Sequence, residues 1–279
     1  MHPLHHFPLA SFFALAYAWA WLCWWSAFAV SSGQVSWPVS PELLAILGQF
    51  GPFAAALVVT AIIGGRDGLR AFFGRFMRWR ARPVWALVSL LLLPALMLTA
   101  ILLYALTTGT ASTLQFRDKW TTLPAHFVYT LLLAGPLGEE PGWRGFALPR
   151  LQARYGPVPA CIFLGLLGAG WHFPLWWLNP PSTPYVVFVA AAILLTFLFT
   201  WLFNHTHGSV FYSLLFHASL NTAGVRLPEV PAYYAWVACL LAVVLAILYF
   251  DRRLGYAGDK PPTPTIVPIG PPATTNLHS

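Results

Sequence analysis

Two adjacent carboxylates occur in a chain that has few charged residues. Glu139 and Glu140 precede Arg144 in the segment Gly-Glu-Glu-Pro-Gly-Trp-Arg-Gly. Glu140 and Arg144 are four residues apart, so a helical turn would bring them within reach of an ion pair. That pairing leaves Glu139 free to face another direction, where a partly dry carboxylate can take up a proton and return it. A capped helix end with a structural ion pair explains Glu140 and Arg144 but does not explain Glu139.

Two histidines in other apolar stretches are further candidates. His172 is followed by Pro174, which removes a backbone hydrogen bond and can bend the helix to open space beside the imidazole. A single histidine on an apolar helix is, however, more often a satisfied core residue. His217 and Asn221 are four residues apart and therefore project from one helical face. Together they can donate hydrogen bonds to an oxyanion, or they can hold two helices together.

The composition indicates a membrane protein. Hydrophobic residues make up 58% of the 279 residues and charged residues only 8%, against about 25% charged residues in soluble domains. Such a chain cannot cover a water-facing surface, and it is too apolar to be disordered. Its net charge is +7, but the basic residues lie in short blocks between apolar stretches, as in cytoplasmic loops. We therefore expect the lipid bilayer, and no nucleic acid, as a partner.

Eight apolar stretches are candidates for transmembrane helices, which need about 20 residues each. They lie approximately at 8–30, 43–65, 83–107, 123–138, 157–177, 184–203, 209–225 and 231–250. The fourth and seventh are short and carry polar residues, so we expect neighbouring helices to surround them. The predicted fold class is an all-α, polytopic membrane bundle of about eight helices. It forms one domain over residues 1–257, followed by a disordered Pro- and Thr-rich tail over 258–279.

Lysine and arginine are distributed unequally between the two sides of such a bundle. One side holds twelve of them: Arg66, Arg70, Arg75, Arg78, Arg80, Arg82, Arg144, Arg150, Arg154, Arg252, Arg253 and Lys260. The other side holds Arg117, Lys119 and Arg226. The positive-inside rule predicts a multi-pass protein of the plasma (inner) membrane with both termini and the second, fourth and sixth loops in the cytoplasm. Residues 27–29 resemble a signal-peptide cleavage site, but no Lys or Arg precedes them, so we expect the first span to be retained.

Three further features have simpler explanations. The segment 66–82 interleaves arginine with Phe, Met and Trp, which suits a loop that sets topology and lies at the membrane interface. His205 and His207 are too close in sequence to share a helical face, so we expect a turn at the interface. The cysteines lie singly in apolar runs and are expected to be core residues rather than disulfides or metal ligands: Cys23, Cys161 and Cys239.

Taken together, the motifs resemble those of a known family. Glu139-Glu140 with Arg144 gives E-E-x-x-x-R, His172 stands in W-H-x-P, and His217 with Asn221 gives H-x-x-x-N. Their order and their placement in separate spans, over about residues 123–225, resemble the CPBP family of CAAX proteases and bacteriocin-processing enzymes. This family is also called Abi and is related to the Rce1-type CAAX prenyl endopeptidases. Its second motif is often F-x-x-x-H, whereas Gly168 precedes His172 by four residues here.

The resemblance implies an all-helical membrane endopeptidase whose site opens toward the cytoplasmic leaflet. It implies that Glu139 and His172 activate a water for attack on the scissile carbonyl. His217 and Asn221 would stabilise the resulting oxyanion, and Glu140 with Arg144 would form the ion pair that fixes Glu139. The substrate would be a peptide or a membrane protein, with a lipidated C-terminus, a leader peptide or a membrane-protein tail as candidates.

Two versions of this hydrolytic chemistry stay open. The H-E-x-x-H zinc helix is absent from the sequence, which favours a metal-free glutamate mechanism without a cofactor. Glu139, His172 and His217 are nevertheless zinc ligands of acceptable type. Serine chemistry is disfavoured, because no G-x-S-x-G elbow occurs and Ser219 points off the face shared by His217 and Asn221.

Two other classes of function compete with the endopeptidase. In a non-catalytic scaffold or immunity protein, the polar residues would only hold helices together. In a proton-coupled transporter, the Glu and His side chains would form a relay. The transporter is less favoured, because the polar residues cluster toward one face and no inverted repeat is visible in the sequence.

Overall fold

The computed structural model describes residues 7–109, 120–178, 183–224 and 231–257. The regular structure within these ranges is helical throughout and contains no strand. The predicted all-α class is therefore confirmed. The predicted tail at 258–279 and the predicted non-cytoplasmic residues Arg117, Lys119 and Arg226 lie outside the described residues.

Helices follow the apolar stretches closely. In chain order they are α1 (Pro8–Ser31), α2 (Pro41–Gln49), α3 (Gly51–Gly74), α4 (Pro83–Thr108), α5 (Leu123–Leu133), α6 (Pro136–Gly142), α7 (Leu148–Tyr155), α8 (Pro157–Trp171), α9 (Phe173–Leu178), α10 (Tyr185–His205), α11 (Val210–Gly224) and α12 (Pro231–Phe250). A π-helical segment, Trp143–Ala147, joins α6 to α7. Five described helices, namely α1, α3, α4, α10 and α12, contain stretches long and apolar enough to cross a membrane. The protein is an integral membrane protein.

Three of the predicted spans are broken in the structure. The stretch at 43–65 divides into α2 and α3 at Phe50, and α3 continues to Gly74 past a kink at Gly65, whose φ is +52°. The fourth stretch divides at Ala134 and Gly135, where Gly135 has a φ of +110°. Within the fifth stretch, α8 ends at Trp171 and the short helix α9 follows. In each case an apolar run continues through a backbone break that hydropathy does not detect.

The predicted end of the fourth span at residue 138 is wrong for the helix that carries Glu139. Helical backbone runs from Pro136 through the π-helical segment to Tyr155, and the chain then turns at Gly156, whose φ is +81°. α8 returns alongside α7. This helical hairpin places Glu139 in the first turn of α6, well before the turn at Gly156. The apolar stretch in the sequence is shorter than the helix because the first arm of the hairpin, residues 136–155, carries Arg144, Arg150 and Arg154. We call these residues the hairpin arm.

Two hydrophobic cores flank the polar motifs. One includes Phe12, Ala16 and Trp24 of α1, packed against α3, the π-helical segment and α8. The other gathers residues of α4, α10 and α12. α11 belongs to both cores, since Leu214 packs into the first and Phe216 into the second. The helix that carries His217 and Asn221 is therefore held from both sides.

The loops that carry most of the described arginines meet at one end of the bundle. Arg78 Nη1 donates to His207 O at 2.6 Å, which joins the loop after α3 to the loop after α10. Asn204 Nδ2 donates to Leu254 O at 3.0 Å, and the Asn204 and Gln152 amides bond reciprocally. The hairpin arm and the segment after α12 are thus joined to the same end.

α6 approaches the junction of α2 and α3 very closely. A methyl group at Gly138 would lie 2.4 Å from Gln49 O, and one at Gly142 would lie 2.5 Å from Pro52 O. These two glycines are four residues apart and form a G-x-x-x-G pair, the small-residue spacing that lets helices in membranes approach closely. Glu139 and Glu140 lie between them. The glycine pair therefore sets the position of both carboxylates.

We expect Gly142→Ala to destabilise the protein by about 1–3 kcal/mol, because its methyl group cannot fit against Pro52 without moving α6. The measurement is the free energy of unfolding in mixed micelles. Gly168→Ala is the matched control, since it makes the same change on α8 where a methyl group meets no atom within 4 Å. Equal stability of the two variants would contradict the close packing described here.

Candidate active site

Glu140 lies at the centre of the polar cluster and is fully buried. Its Oε1 accepts a hydrogen bond from Arg144 Nη1 at 2.9 Å, the ion pair that the sequence spacing predicts. The same oxygen accepts from His217 Nδ1 at 2.8 Å, across the interface between α6 and α11. Glu140 is 0% exposed and Arg144 7%. A carboxylate this deeply buried is tolerable only because it is paired with cationic or donor groups.

Arg144 is held by an aromatic ring as well as by Glu140. Its guanidinium carbon lies 3.8 Å from the centroid of the Phe199 ring, on α10. A cation over an aromatic face gains electrostatic energy, and the gain is larger when the pair is dry. Arg144 therefore links the hairpin arm to α10 while its Nη1 faces Glu140.

Glu139 points away from this ion pair and has a different partner. Trp143 Nε1 donates to Glu139 Oε2 at 3.3 Å, and Glu139 is only 6% exposed. Trp143 is buried against Phe12, Phe13 and Trp171. Trp143 was missed as a partner in the sequence analysis, although Glu139 and Trp143 have the same four-residue spacing as Glu140 and Arg144.

Three polar atoms converge on the space beside Gly135. A methyl group at this glycine would lie 3.0 Å from Glu139 Oε1, 3.3 Å from Asn221 Nδ2 and 3.6 Å from His217 Nε2. We call this space, bounded by Gly135, Glu139, His217 and Asn221, the Gly135 cradle. A side chain at residue 135 would fill it. The cradle therefore combines a carboxylate oxygen, an imidazole nitrogen and an amide donor within reach of one small group.

The broken backbone of the fourth span gives Asn221 its orientation. Ala134 and Gly135 are not helical, and Asn221 Nδ2 donates to the Ala134 carbonyl at 2.9 Å. Non-helical backbone at membrane depth is tolerated where neighbouring protein groups satisfy it. The Asn221 amide carries two N–H groups, so one binds Ala134 and the other remains for the cradle.

His217 has a defined tautomer in its neutral form. Its Nδ1 faces the Glu140 carboxylate, which accepts hydrogen bonds when ionised, so the proton lies on Nδ1. The Nε2 atom then carries a lone pair toward the cradle. Only the doubly protonated imidazolium can donate from Nε2. Ser219, between His217 and Asn221, points away from the face that these two residues share, as its position on the helix predicts. Its hydroxyl donates to Ser89 O at 2.9 Å.

His172 follows the last residue of α8 and makes its hydrogen bond to the backbone of that helix rather than to a residue of the cradle. Its Nδ1 donates to the Gly168 carbonyl at 2.8 Å, which leaves Nε2 with a lone pair in the neutral ring. No hydrogen bond joins His172 to Glu139 among the described residues. The hairpin nevertheless puts them at one level, since Glu139 precedes the turn at Gly156 by about as many residues as His172 follows it. Trp143 and Trp171 touch across the hairpin with centroids 5.6 Å apart.

The end of α8 that carries His172 is fixed by side chains from other helices. The last carbonyls of a helix have no partner within it. Here the Tyr17 hydroxyl donates to Leu167 O, Trp21 Nε1 donates to Trp171 O at 3.0 Å, and the Tyr185 hydroxyl donates to Ala169 O at 2.8 Å. α1 and α10 therefore hold the His172 backbone. These partners are distant in sequence, and no local pattern identifies them.

The zinc ligand set allowed by residue type is not assembled in the described part of the chain. Within it, no three His, Cys, Asp or Glu side chains are grouped so that they can hold a metal ion. His217 and Glu139 meet at the cradle, whereas His172 Nδ1 is bonded to the Gly168 carbonyl. The cysteines are free thiols, and Cys161 and Cys239 are buried as expected for core residues.

Comparisons with known proteins bear on the same region. The family of type II CAAX prenyl endopeptidases, Rce1-like, matches residues 120–223. We refer to the matched residues as the Rce1-like domain. It contains all six residues singled out above from the three motifs: Glu139, Glu140, Arg144, His172, His217 and Asn221. The family resemblance inferred from those motifs is confirmed.

A curated relative extends the similarity beyond the Rce1-like domain. The chain is 26% identical over 233 residues to a protein of Methanococcus maripaludis named CAAX prenyl protease 2. The alignment covers 76% of this chain and 83% of the relative. Together with the Rce1-like match, this similarity indicates a membrane-embedded peptidase.

Removing the charge of Arg144 is expected to destabilise the Rce1-like domain strongly. Arg144→Met leaves the Glu140 carboxylate buried with His217 as its single partner, at a cost of about 3–5 kcal/mol in the free energy of unfolding. Arg154→Met makes the same change at an exposed position of α7 and should cost less than about 0.5 kcal/mol.

A second variant separates charge from packing. Adding Glu140→Gln to Arg144→Met removes the uncompensated carboxylate and should restore part of the lost stability. Denaturant titration in mixed micelles measures all three variants. An Arg144→Met protein as stable as Arg154→Met would contradict the central role given to the ion pair.

Proposed function

We propose that the protein is an endopeptidase that hydrolyses a peptide bond at the Gly135 cradle, without a covalent intermediate. The observation that carries the proposal is the convergence of Glu139 Oε1, His217 Nε2 and Asn221 Nδ2 on one small space. A general base and two donors around one point are what hydrolysis of an amide requires. The Rce1-like domain supplies independent support for a peptidase.

Glu139 acts as the general base in this proposal. Its Oε1 takes a proton from a water molecule while the water oxygen attacks the scissile carbonyl carbon. Trp143, bonded to Oε2, keeps Oε1 turned toward the cradle. When the tetrahedral intermediate collapses and the C–N bond breaks, Glu139 returns the proton to the leaving nitrogen. The products are a carboxylic acid and an amine, and Glu139 is regenerated as the carboxylate.

His172 helps to place the water. Its Nδ1 proton is committed to the Gly168 carbonyl, so its Nε2 lone pair is an acceptor for a water proton. In this proposal, a water or substrate bound between His172 and the cradle is shared by His172 and Glu139. This role requires the substrate to lie between α8 and α6.

His217 and Asn221 stabilise the oxyanion. Asn221 gives its second N–H group, and His217 gives Nε2–H as an imidazolium whose Nδ1–H is bonded to Glu140. In that state the buried cluster contains two carboxylates, one guanidinium and one imidazolium, and is electrically neutral. Neutrality is the arrangement that a dry environment favours. Glu140 and Arg144 orient His217 and do not touch the reacting atoms.

We propose a metal-free mechanism for this site. The three candidate zinc ligands are not grouped in the part of the chain that the structure describes, which favours hydrolysis without a metal. Zinc held by Glu139, His172 and His217 is the alternative, and the experiment below includes it.

The substrate is proposed to be a membrane-associated peptide or protein, with a lipidated C-terminus as the first candidate. The relative from Methanococcus maripaludis is named for prenylated CAAX substrates, and leader peptides and membrane-protein tails are the other candidates. We place the site near the cytoplasmic face of the plasma membrane, with both termini cytoplasmic. The arginine-rich loops at one end of the bundle support this orientation.

Replacing the proposed base is expected to abolish cleavage without unfolding the protein. Glu139→Gln keeps the shape of the side chain but cannot accept the proton, so we expect a loss of about 10²–10⁴ in rate. His172→Ala should also lose activity. The assay presents prenylated CAAX peptides, leader peptides and tail peptides to the protein in liposomes, and mass spectrometry detects the products.

The experiment includes a matched control variant and a treatment with a zinc chelator. Glu42→Gln makes the same change at an exposed position on α2 and should leave cleavage unchanged. A zinc chelator should have no effect, whereas inhibition that added zinc reverses would show that the residues are metal ligands. Cleavage that survives Glu139→Gln would remove the proposed site. A scaffold protein would tolerate Glu139→Gln and show no cleavage by wild type.

Asn221→Ala tests the oxyanion role. Removing one donor of this kind costs about 10²–10³ in kcat, with little effect on KM if the contact forms only in the transition state. Ser219→Ala is the control, because Ser219 lies on the same helix but faces Ser89. An Asn221→Ala enzyme with wild-type kcat would assign Asn221 to the Ala134 backbone alone. A Ser219→Ala enzyme without activity would reopen serine chemistry.

A further inference from the structure

A cluster of arginines at the loop end of the bundle has no place in the proposed reaction. A methyl group at Gly208 would lie 2.9 Å from Arg75 Nη1 and 3.1 Å from Arg78 Nη1, so the two guanidinium groups are close neighbours. Arg78 Nη1 donates to His207 O. Arg75 Nη1 is buried and has no hydrogen-bond partner among the described residues. A buried guanidinium with an unused donor needs an acceptor.

Two cavities adjoin this cluster. The larger has a volume of about 530 Å³ and is lined by Met77, Arg78, Trp79, Arg80, Thr206 and His207. The smaller has a volume of about 300 Å³ and is lined by Arg82, Trp85, His205 and His207. His207 borders both cavities. Together they form a basic pocket of the size that ligand sites usually have.

The described residues that line the two cavities include no acidic side chain. Asp251 lies next to the smaller cavity but already accepts from His205 Nε2 at 2.9 Å. The pKa of Arg75 is lowered to about 10, first by burial and then by the charges of Arg78 and Arg150. The cluster is therefore held together against its own repulsion, and an anion bound between the guanidinium groups would relieve that repulsion.

The side chains around the pocket identify the environment of that anion. Met77 is 71% exposed and Trp79 56%, in a loop where they alternate with arginines. Tryptophan beside arginine is typical of the headgroup region of a bilayer. Guanidinium groups match the oxygens of phosphate in a bidentate fashion. The abundant anion at this depth is the phosphate of a phospholipid.

We propose that Arg75 and Arg78, with Arg80, Arg82 and His207 at the rim, form a binding site for the phosphate group of an anionic phospholipid. The site is separate from the Gly135 cradle and does not depend on the proposed peptidase function. Val210 N donates to Arg75 O at 3.1 Å, and His217 follows seven residues later on α11, or about 10 Å along the helix axis. A lipid phosphate bound at Arg75 would therefore set the depth of the cradle beneath the headgroups.

Lipid binding by variants of the full chain tests the proposal. Native mass spectrometry of the purified protein in detergent measures retention of phosphatidylglycerol, with phosphatidylcholine as the neutral comparison. Arg75→Gln/Arg78→Gln should weaken retention of phosphatidylglycerol roughly 30-fold, as expected for two basic contacts near a lipid surface. Arg66→Gln/Arg70→Gln removes the same charge from exposed positions on α3 and should change it less than about threefold.

Further measurements identify the source of the phosphate and distinguish a loss of binding from misfolding. If inorganic phosphate raises the Tm of wild type but not of Arg75→Gln/Arg78→Gln, and phosphatidylglycerol is not retained, the site takes free phosphate and the lipid assignment is overturned. If the two double variants lose retention of phosphatidylglycerol equally, the effect is one of surface charge alone and the proposed site is overturned. If the Arg75 change prevents folding, exposed Arg78→Gln alone should still bind phosphatidylglycerol roughly fivefold more weakly than Arg70→Gln.

Discussion

The arrangement of the polar residues depends on one buried oxygen atom. Glu140 Oε1 accepts from both Arg144 and His217, and these donors belong to the hairpin arm and to α11. Losing Arg144 would leave the Glu140 charge without its ion pair in a dry environment, which costs more than an ordinary packing defect. The gain is orientation rather than stability. His217 can direct Nε2 at the cradle because Nδ1 is bonded to Glu140, and Glu139 can face the cradle because Glu140 has taken the ion pair.

The irregular backbone around this oxygen is as important as the charges. A straight fourth span would bury residue 135 within a helix. The break at Ala134 and Gly135 instead opens the cradle and leaves a carbonyl that orients Asn221. The π-helical segment at Trp143–Ala147 follows after the seven residues of α6. π-Helical turns are frequent at functional sites, and here the turn carries Trp143 and Arg144, the partners of the two glutamates.

Aromatic residues and small residues have different structural roles in this bundle. Gly138 and Gly142 allow α6 to touch the junction of α2 and α3, which fixes the height of both carboxylates. Phe12, Phe13, Trp143 and Trp171 then form a dry wall beside Glu139. In a low dielectric, hydrogen bonds and ion pairs are stronger and unpaired groups are more costly. Because this aromatic wall keeps the site dry, it raises the cost of any unpaired polar group and so favours the hydrogen-bonded pairs described above.

The sequence by itself determined the fold class, the approximate bounds of the apolar helices, the Glu140–Arg144 ion pair and the family resemblance. These follow from local properties, since hydropathy records burial in lipid and four-residue spacing records a helical face. It also identified Glu139, His172, His217 and Asn221 as candidates, because polar groups in apolar helices are rare. Their roles in catalysis remain predictions.

Only the tertiary structure decided which candidates meet. The helix carrying Glu139 continues to Tyr155 and the chain folds back at Gly156, so that Trp143 and Trp171, the neighbours of Glu139 and His172, meet across the hairpin. The bond from His217 to Glu140, the cradle at Gly135 and the Trp143 partner of Glu139 depend on the break in the fourth span and on contacts between helices. Hydropathy cannot reveal them, because an apolar run reads the same whether its backbone is straight, broken or π-helical.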